Sequence, residues 1–405
     1  MTAIHNSNIL CETTAPASQP DHPPDHRHRP EPQAKRQREA VLRILSQRFP
    51  LLPRPKPPCG SLAARLDRLR QKAAAAGEHD DNALLHAAEA LNLAALIASD
   101  CAMPTLARDL CWRQIYLFAT GPGPYEPATA KLALQPLINL ARLHARDGNP
   151  NTAYHLHEAL LRAARSRGDL HIDGHLVPLS TLIADSDHHA EIIQWLWTVL
   201  LSSGLHALCA AGRWSDAHQH AAHHNGIGQR LLDGRQIAII DHAITGRHAD
   251  AEDLLDGSET AEEWEHGIAT SIRVLTRILA GHNVERLAAT MTAAYLALNP
   301  DPRTTTFRLR LGLTVADLVH TSHQTPPPIA LEEQLLDDAC HDAYLARDLL
   351  AAQSHVSLPT AVRRQAHDAV HRASLGTPLP AADLATLMKA VRRSETALAT
   401  QLQRP

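Results

Sequence analysis

Apolar residues recur along most of the chain with the three-to-four residue spacing of amphipathic helices. Many of the predicted helical pairs share one pattern: a break, an alanine five residues later, and then an apolar helical turn. Copies of this pattern start at residues 102, 148, 212, 246 and 341. The glycines at 212, 246 and 281 are 34 and 35 residues apart, which is the period of a two-helix repeat. The spacing predicts a stack of helical hairpins.

The periodicity and the breaks between periodic stretches place the predicted helices. They span 34–49, 62–76, 82–99, 105–118, 128–146, 152–167, 190–211, 215–224, 229–245, 248–256, 261–280, 283–298, 304–320, 329–339, 341–353, 359–374 and 381–402. A longer loop is expected at 168–187. Runs of β-branched residues with two-residue alternation are absent from the sequence, so the predicted fold class is all-α.

Proline content and charge divide the chain into three parts. Residues 1–60 are predicted to form a disordered, basic and proline-rich arm with one short helix. Residues 61–300 form the helical-repeat array, and residues 301–405 form C-terminal hairpins that cap it. A chain of 405 residues exceeds the usual size of one compact core, so an elongated array or several domains is expected.

The amino-acid composition indicates which residues build the core and which kinds of site and location are expected. Aromatic residues make up 3% of the chain and apolar residues 44%, so alanine and leucine must build the core. The six cysteines are scattered without a CxxC pair, which argues against a disulfide framework or a thiolate metal site. Neither a signal peptide nor a membrane span is predicted. We therefore expect a cytoplasmic protein with no cofactor. Its high content of Ala and Arg suggests a GC-rich bacterial genome.

The region from about 80 to 300, and more weakly to 355, resembles the tetratricopeptide repeat family. The small residue of that family's first helix falls at Ala141 when the alignment is anchored on Ala153, and Leu137 and Leu140 precede it. The match is degenerate, because Leu205 and Ile239 stand at this position in later repeats. The stretches LARDLCWRQ, WLWTVLL and LLDGRQIA also resemble actinobacterial helical-repeat regulators. The resemblance implies an α-solenoid whose first helices line a ligand groove.

Polar residues on these first helices are the candidate groove residues. Lys131, Gln135, Asn139 and Arg142 recur every three or four positions and share one face of an otherwise apolar helix. The family alignment adds Glu89 and Asn92 from the preceding hairpin, and Asp233 and Gln236 from the fourth hairpin. Amides and an arginine suit a peptide backbone or carboxylate. The alternative interpretation is an ordinary solvated helix face.

Histidine is abundant, with 28 residues, and Asp216, His220 and His224 follow each other at four-residue intervals. This spacing on one helical face can chelate zinc or nickel. The sequence supplies no second group of ligands, so a solvated, weakly basic face is the competing interpretation.

The net charge of −4 is unevenly distributed. Residues 27–72 carry 13 Lys and Arg against three acids, and such a segment can attract nucleic acid or an acidic partner. One short helix does not make a helix-turn-helix domain, and a solvated, disordered arm is the competing interpretation.

The sequence therefore predicts a non-catalytic adaptor or regulator that binds a peptide or protein segment, with oligomerisation left open. One alternative is a transcription-linked regulator that contacts nucleic acid directly or through a partner. A second alternative is a metal-dependent enzyme, or an accessory subunit in a biosynthetic pathway.

Overall fold

The structure is a computed structural model that describes residues 31–78, 82–323, 326–339, 342–352 and 356–404. The N-terminal helices are α1 Glu31–Arg48, α2 Leu62–Ala75, α3 Ala83–Asp100, α4 Pro104–Ala119, α5 Pro127–Arg146 and α6 Pro150–Ser166. The central helices are α7 His189–Val199, α8 Leu205–Ala210, α9 Trp214–His223, α10 Asp233–Ile244, α11 His248–Asp256, α12 Glu263–Leu279 and α13 Glu285–Leu296. The C-terminal helices are α14 Thr305–His323, α15 Ile329–Ala339, α16 Ala343–Ala351, α17 Thr360–Arg372 and α18 Ala381–Leu402.

Consecutive helices pack against one another, and helices two apart, such as α3 with α5 and α10 with α12, are also in contact. This is the contact pattern of stacked hairpins. The prediction of an all-α solenoid is confirmed. The exception lies in the loop expected at 168–187, where a two-stranded antiparallel hairpin forms from β1 Asp169–Ile172 and β2 His175–Pro178.

Each repeat glycine follows the end of an α-helix and has the left-handed backbone conformation. Gly148, Gly212, Gly246 and Gly281 have φ values of 78°, 75°, 82° and 76°, which side chains with a Cβ rarely adopt. The residue after each glycine donates its N–H to a carbonyl five residues earlier, as from Arg247 to His242 at 2.8 Å. This bond pattern ends a helix and turns the chain into the next one.

The alanine that follows each break lies at a helix–helix contact. Ala107, Ala153, Ala217, Ala251 and Ala346 are each at most 1% exposed. A small side chain at this position lets two helix backbones approach closely. The repeat pattern therefore encodes both the turn and the packing that follows it.

Helices α7 and α8 are joined without a break by a π-helical turn, Leu200–Gly204. Such turns are rare and often lie at functional sites. Here the turn carries Ser202 and Ser203 on the inner side of the array, where both residues line a cavity.

The C-terminal helices return to the start of the array. Helix α18 packs against α2, α3 and α4, and Arg113 of α4 binds Glu395 of α18 through two nitrogen–oxygen contacts of 2.7 and 2.6 Å. The backbone N–H of Gly376 also donates to the carbonyl of Asp100 at 2.8 Å. The last hairpins therefore close the array onto its first helices.

The main hydrophobic core of the described residues runs from Val41 to Leu402, and a smaller separate cluster joins Cys59 to residues of α16 and the end of α17. The predicted boundaries at 60 and 300 do not separate cores, because buried residues of α1 and of α18 belong to the same cluster. Residues 1–30 of the predicted disordered arm lie outside the described residues. Within residues 31–60, Val41, Leu45 and Phe49 are fully buried, so the second half of α1 is docked on the array rather than solvated, while residues 54–58 are exposed.

Two helical stretches, Ala83–Asp100 and His189–Ala210, are long and apolar enough to cross a membrane by length and composition. Core helices of soluble proteins pass the same test. Helix α3 packs against α2, α4, α5 and α18, and 56% of its apolar stretch is buried.

Candidate functional site

The inner face of the array is formed by α3, α5, α8, α10, α12 and α14. Helix α1 lies against this face and contacts α8, α12 and α14. The chain then crosses the face as an extended segment, residues 49–60, which we call the inner segment. The chain thus fills the C-terminal half of its own groove and leaves the half near α3 and α5 open.

Helix α1 is held on the inner face by apolar burial and by polar contacts. The Nη2 of Arg48 lies 2.7 Å from the Oδ2 of Asp317 on α14, and both side chains are less than 10% exposed. Gln37 donates to the carbonyl of Thr321 at 3.0 Å, and Arg38 donates to the carbonyl of Ile244 at 2.8 Å. The amphipathic pattern of α1 was visible in the sequence, but its docking place was not.

Gln236 binds the backbone of the inner segment. Its Oε1 accepts from the N–H of Leu51 at 2.9 Å, and its Nε2 donates to the carbonyl of Leu51 at 2.8 Å. Its Nε2 also donates to the carbonyl of Leu231 at 2.7 Å. A glutamine amide that binds both backbone groups of one residue recognises an extended chain without reading its side chain.

Asp233 lies one turn before Gln236 and pairs with Arg54 of the inner segment. Burial raises the pKa of Asp233, while the guanidinium of Arg54 opposes this change. Both groove residues predicted on α10 therefore face a peptide segment, and that segment belongs to the chain itself.

The open half of the inner face holds a cavity of about 470 Å³, which we call the amide cavity. Five predicted groove residues line it: Glu89, Asn92, Gln135, Asn139 and Arg142. The structure therefore brings these five side chains together at one cavity. Lys131 is not among the lining residues and instead pairs with Glu191 of α7.

Three amides form a chain across the amide cavity. Gln135 donates through Nε2 to the Oδ1 of Asn139 at 3.0 Å, and Asn139 donates through Nδ2 to the Oδ1 of Asn92 at 3.0 Å. This bonding fixes the three side chains and leaves the NH₂ of Asn92 and the Oε1 of Gln135 to offer a donor and an acceptor to a ligand.

Cations outnumber carboxylates around the amide cavity. Lys56, Arg68, Lys72, Arg142 and Arg146 line it, and Glu89 is the acidic lining residue. Glu89 is already paired with Lys72. The cavity therefore favours an anionic group on whatever enters it.

Sequence reasoning missed several lining residues. Lys56 comes from the inner segment, and its Nζ lies 4.2 Å from the ring centroid of Tyr344. Arg146 reaches the Oδ1 of Asp100 at 3.2 Å. Arg146 lies one helical turn beyond Arg142 on α5, so the spacing of the polar stripe could have found it. Nothing local in the sequence indicates that Lys56 meets α3 and α5.

The candidate metal ligands do not converge. Helix α9 ends at His223, and the Nε2 of His224, the next residue, lies 3.9 Å from the Oε1 of Glu158 on α6. Asp216 is bound by Arg213 at 2.6 Å, and the ring of His220 lies 4.3 Å from that of Tyr154. Among the residues that the structure describes, no group of three or more His, Cys, Asp or Glu side chains could hold a metal ion.

Much of the basic N-terminal region is committed to internal contacts. Arg48, Arg54, Arg65 and Lys72 each form an ion pair with a carboxylate of the array. The positive charges of these four side chains are therefore already partly balanced within the fold. Residues 27–30 of the predicted nucleic-acid segment lie outside the described residues.

Comparisons of this chain with protein-family models, with curated proteins and with solved structures give no match. The tetratricopeptide resemblance therefore stays a prediction, and the site has to be interpreted from its own geometry.

Proposed function

We propose that this protein is a non-catalytic adaptor or regulator that binds a peptide or protein segment in the amide cavity on its inner face. The observation that carries the proposal is the bond pair between Gln236 and the backbone of Leu51. The same surface, two hairpins away, presents further amides toward an open cavity.

The amide cavity offers the chemistry that an extended peptide needs. Asn92, Asn139 and Gln135 can bind backbone N–H and carbonyl groups, as Gln236 does for the inner segment. The apolar residues Leu93, Leu96 and Leu143 also line the cavity and offer contact to aliphatic side chains. A volume of about 470 Å³ lies within the roughly 300–1,000 Å³ of typical ligand pockets.

The charge of the cavity supports an acidic segment. Arg142 presents a guanidinium, which binds carboxylates through two parallel hydrogen bonds. Because Glu89 is already paired, an acidic ligand meets little repulsion. We therefore propose a partner segment with carboxylate side chains or a free C-terminal carboxylate.

The test uses a phage-displayed library of random dodecapeptides selected on the immobilised full chain. The enriched peptide, labelled with fluorescein, is then titrated against the protein by fluorescence anisotropy. Gln135→Ala and Asn139→Ala should each weaken binding about three- to tenfold, since each removes a neutral hydrogen bond.

Gln194→Ala is the matched control, because Gln194 is exposed on α7 and lines neither the amide cavity nor its neighbour. Circular dichroism verifies that each variant retains its helices. The proposal fails if no peptide is enriched, or if the enriched peptide binds both cavity variants as tightly as the control.

A further inference from the structure

A second cavity, of about 670 Å³, adjoins the amide cavity and shares Arg142 and Arg146 with it. Arg54 enters from the inner segment, and Ser202, Ser203 and His206 enter from the π-helical turn and α8. No Asp or Glu is among the residues that line this cavity. We call it the basic cavity.

Arg142 stands between the two cavities without a counter-ion. Within the described ranges, no carboxylate forms an ion pair with its guanidinium. Arg142 is accessible to solvent from the cavities, while desolvation by the surrounding protein, followed by the charge of Arg146, lowers its pKa. A cation in such surroundings gains most from an anion that enters the cavity.

Two carboxylates, Asp100 and Asp233, contact arginines of the basic cavity and have the following partners. Asp100 binds Arg65 and the hydroxyl of Tyr344, each at 2.5 Å, and also Arg146 at 3.2 Å. Asp233 is paired with Arg54. Arg142 and one further charge from the Arg65–Asp100–Arg146 group therefore remain unbalanced at the cavity wall.

Two histidines near the basic cavity, His206 and His157, lie close to arginine side chains. Burial, followed by the charges of Arg310 and Arg54, lowers the pKa of His206 to about 4. Burial, followed by the charge of Arg142, lowers the pKa of His157 to about 3. His206 is therefore neutral at pH 7 and can donate a hydrogen bond to an anion without adding charge.

We infer that the basic cavity is a binding site for an oxyanion of the phosphate class, with Arg142 as its central cation and the hydroxyl of Ser203 as an additional donor. Guanidinium groups and hydroxyls are the groups that proteins use to bind phosphate oxygens. This site shares Arg142 and Arg146 with the amide cavity, but it extends to Ser203 and His206 and does not need a peptide to be occupied.

The first measurement is isothermal titration calorimetry of the full chain with inorganic phosphate at pH 7.5 and low salt. Arg142→Gln should weaken phosphate binding about tenfold or more, because it removes charge-assisted hydrogen bonds. Ser203→Ala should weaken it about two- to tenfold. Arg162→Gln is the control, since Arg162 is exposed on α6 and lines neither cavity.

A second measurement uses the unsubstituted protein and so does not depend on a variant that folds. Phenylglyoxal modifies accessible arginines, and mass spectrometry locates the modified residues. Phosphate should protect Arg142 and leave the modification of Arg162 unchanged. Equal modification of Arg142 with and without phosphate overturns the inference.

Two probes distinguish the source of the oxyanion: inorganic phosphate alone and an acetylated peptide amide with one phosphoserine. Binding of either probe with loss in Ser203→Ala supports the site, and the tighter probe identifies the source. Binding of neither probe, or equal binding by Arg142→Gln and Arg162→Gln, overturns it. Gln135→Ala should not change phosphate binding, so this inference and the proposed peptide function can fail separately.

Discussion

Gln236→Leu is the sharpest test of how the inner face recognises a peptide backbone. The side chain of Gln236 is fully buried and makes three hydrogen bonds, two to Leu51 and one to Leu231. Leucine has a similar volume and removes all three bonds. The substitution therefore tests the hydrogen bonds with little change in packing.

The expected cost follows from the groups that lose their partner. The N–H and carbonyl of Leu51 and the carbonyl of Leu231 are left unbonded, at about 1–2 kcal/mol for each buried group. Burial of an apolar side chain in place of an amide returns about 1–2 kcal/mol. The net destabilisation should be about 2–4 kcal/mol, located at the inner segment.

Hydrogen exchange of the Leu51 amide measures this local effect directly, because local opening can occur without global unfolding. A loss of about 2–4 kcal/mol corresponds to exchange about 30- to 700-fold faster. Amides in the centre of α3, remote from α10, should keep their exchange rates. Gln194→Leu, an exposed substitution, is the matched control and should leave the Leu51 amide protected.

Exchange at Leu51 that rises less than about threefold in Gln236→Leu would contradict the reasoning. The inner segment would then be held by its apolar anchors, Phe49 and Leu51, and the amide contacts would contribute little. The amide contacts of Gln236 would then no longer support a role in peptide binding for the amides of the amide cavity.

Arg48→Met should cost about 3–5 kcal/mol in urea unfolding because it breaks the buried ion pair with Asp317. Adding Asp317→Leu should restore most of this loss, and equal loss in the single and double variants contradicts this. The lowered pKa of His157, about 3, means that its contribution to stability is complete above pH 6.5. This contribution is lost at up to about 1.4 kcal/mol per pH unit as the pH falls from 6.5 toward 3. The melting temperature of His157→Leu should therefore depend less on pH between 5 and 7 than that of the unsubstituted protein, and an equal pH dependence refutes this prediction. Gly246→Ala should cost about 1–2 kcal/mol from its left-handed φ alone, since no atom lies within 4 Å of an added Cβ; an unchanged melting temperature refutes it.

Most helix positions could be predicted from the sequence because the signals that define them are local. Gly246 ends α10 and starts the turn into α11, and Ala251 packs five residues later; both belong to one short stretch of chain. The β-hairpin at 169–178 was missed because its strands have only four residues each. Strands this short carry too little alternation to be separated from a loop.

The candidate site was predictable in part. Gln135, Asn139 and Arg142 share one face of α5, and helical geometry alone brings them together. Lys131 belongs to the same stripe, but the position of α7 turns it toward Glu191. Gln236 and Asp233 contact the inner segment on this face, while the identity of the segment that they bind could not be derived from local spacing.

The sequence by itself determined the helices, the turns between them and the polar stripe on α5, because each depends on residues within about one or two helical turns. Tertiary structure alone decided that α18 returns to α2–α4 and that α1 and the inner segment occupy half of the groove. Those contacts join residues that are far apart in the chain, such as Leu51 with Gln236 and Arg48 with Asp317. Many alternative pairings satisfy the same amphipathic patterns, and the folded chain selects the one that buries these groups together.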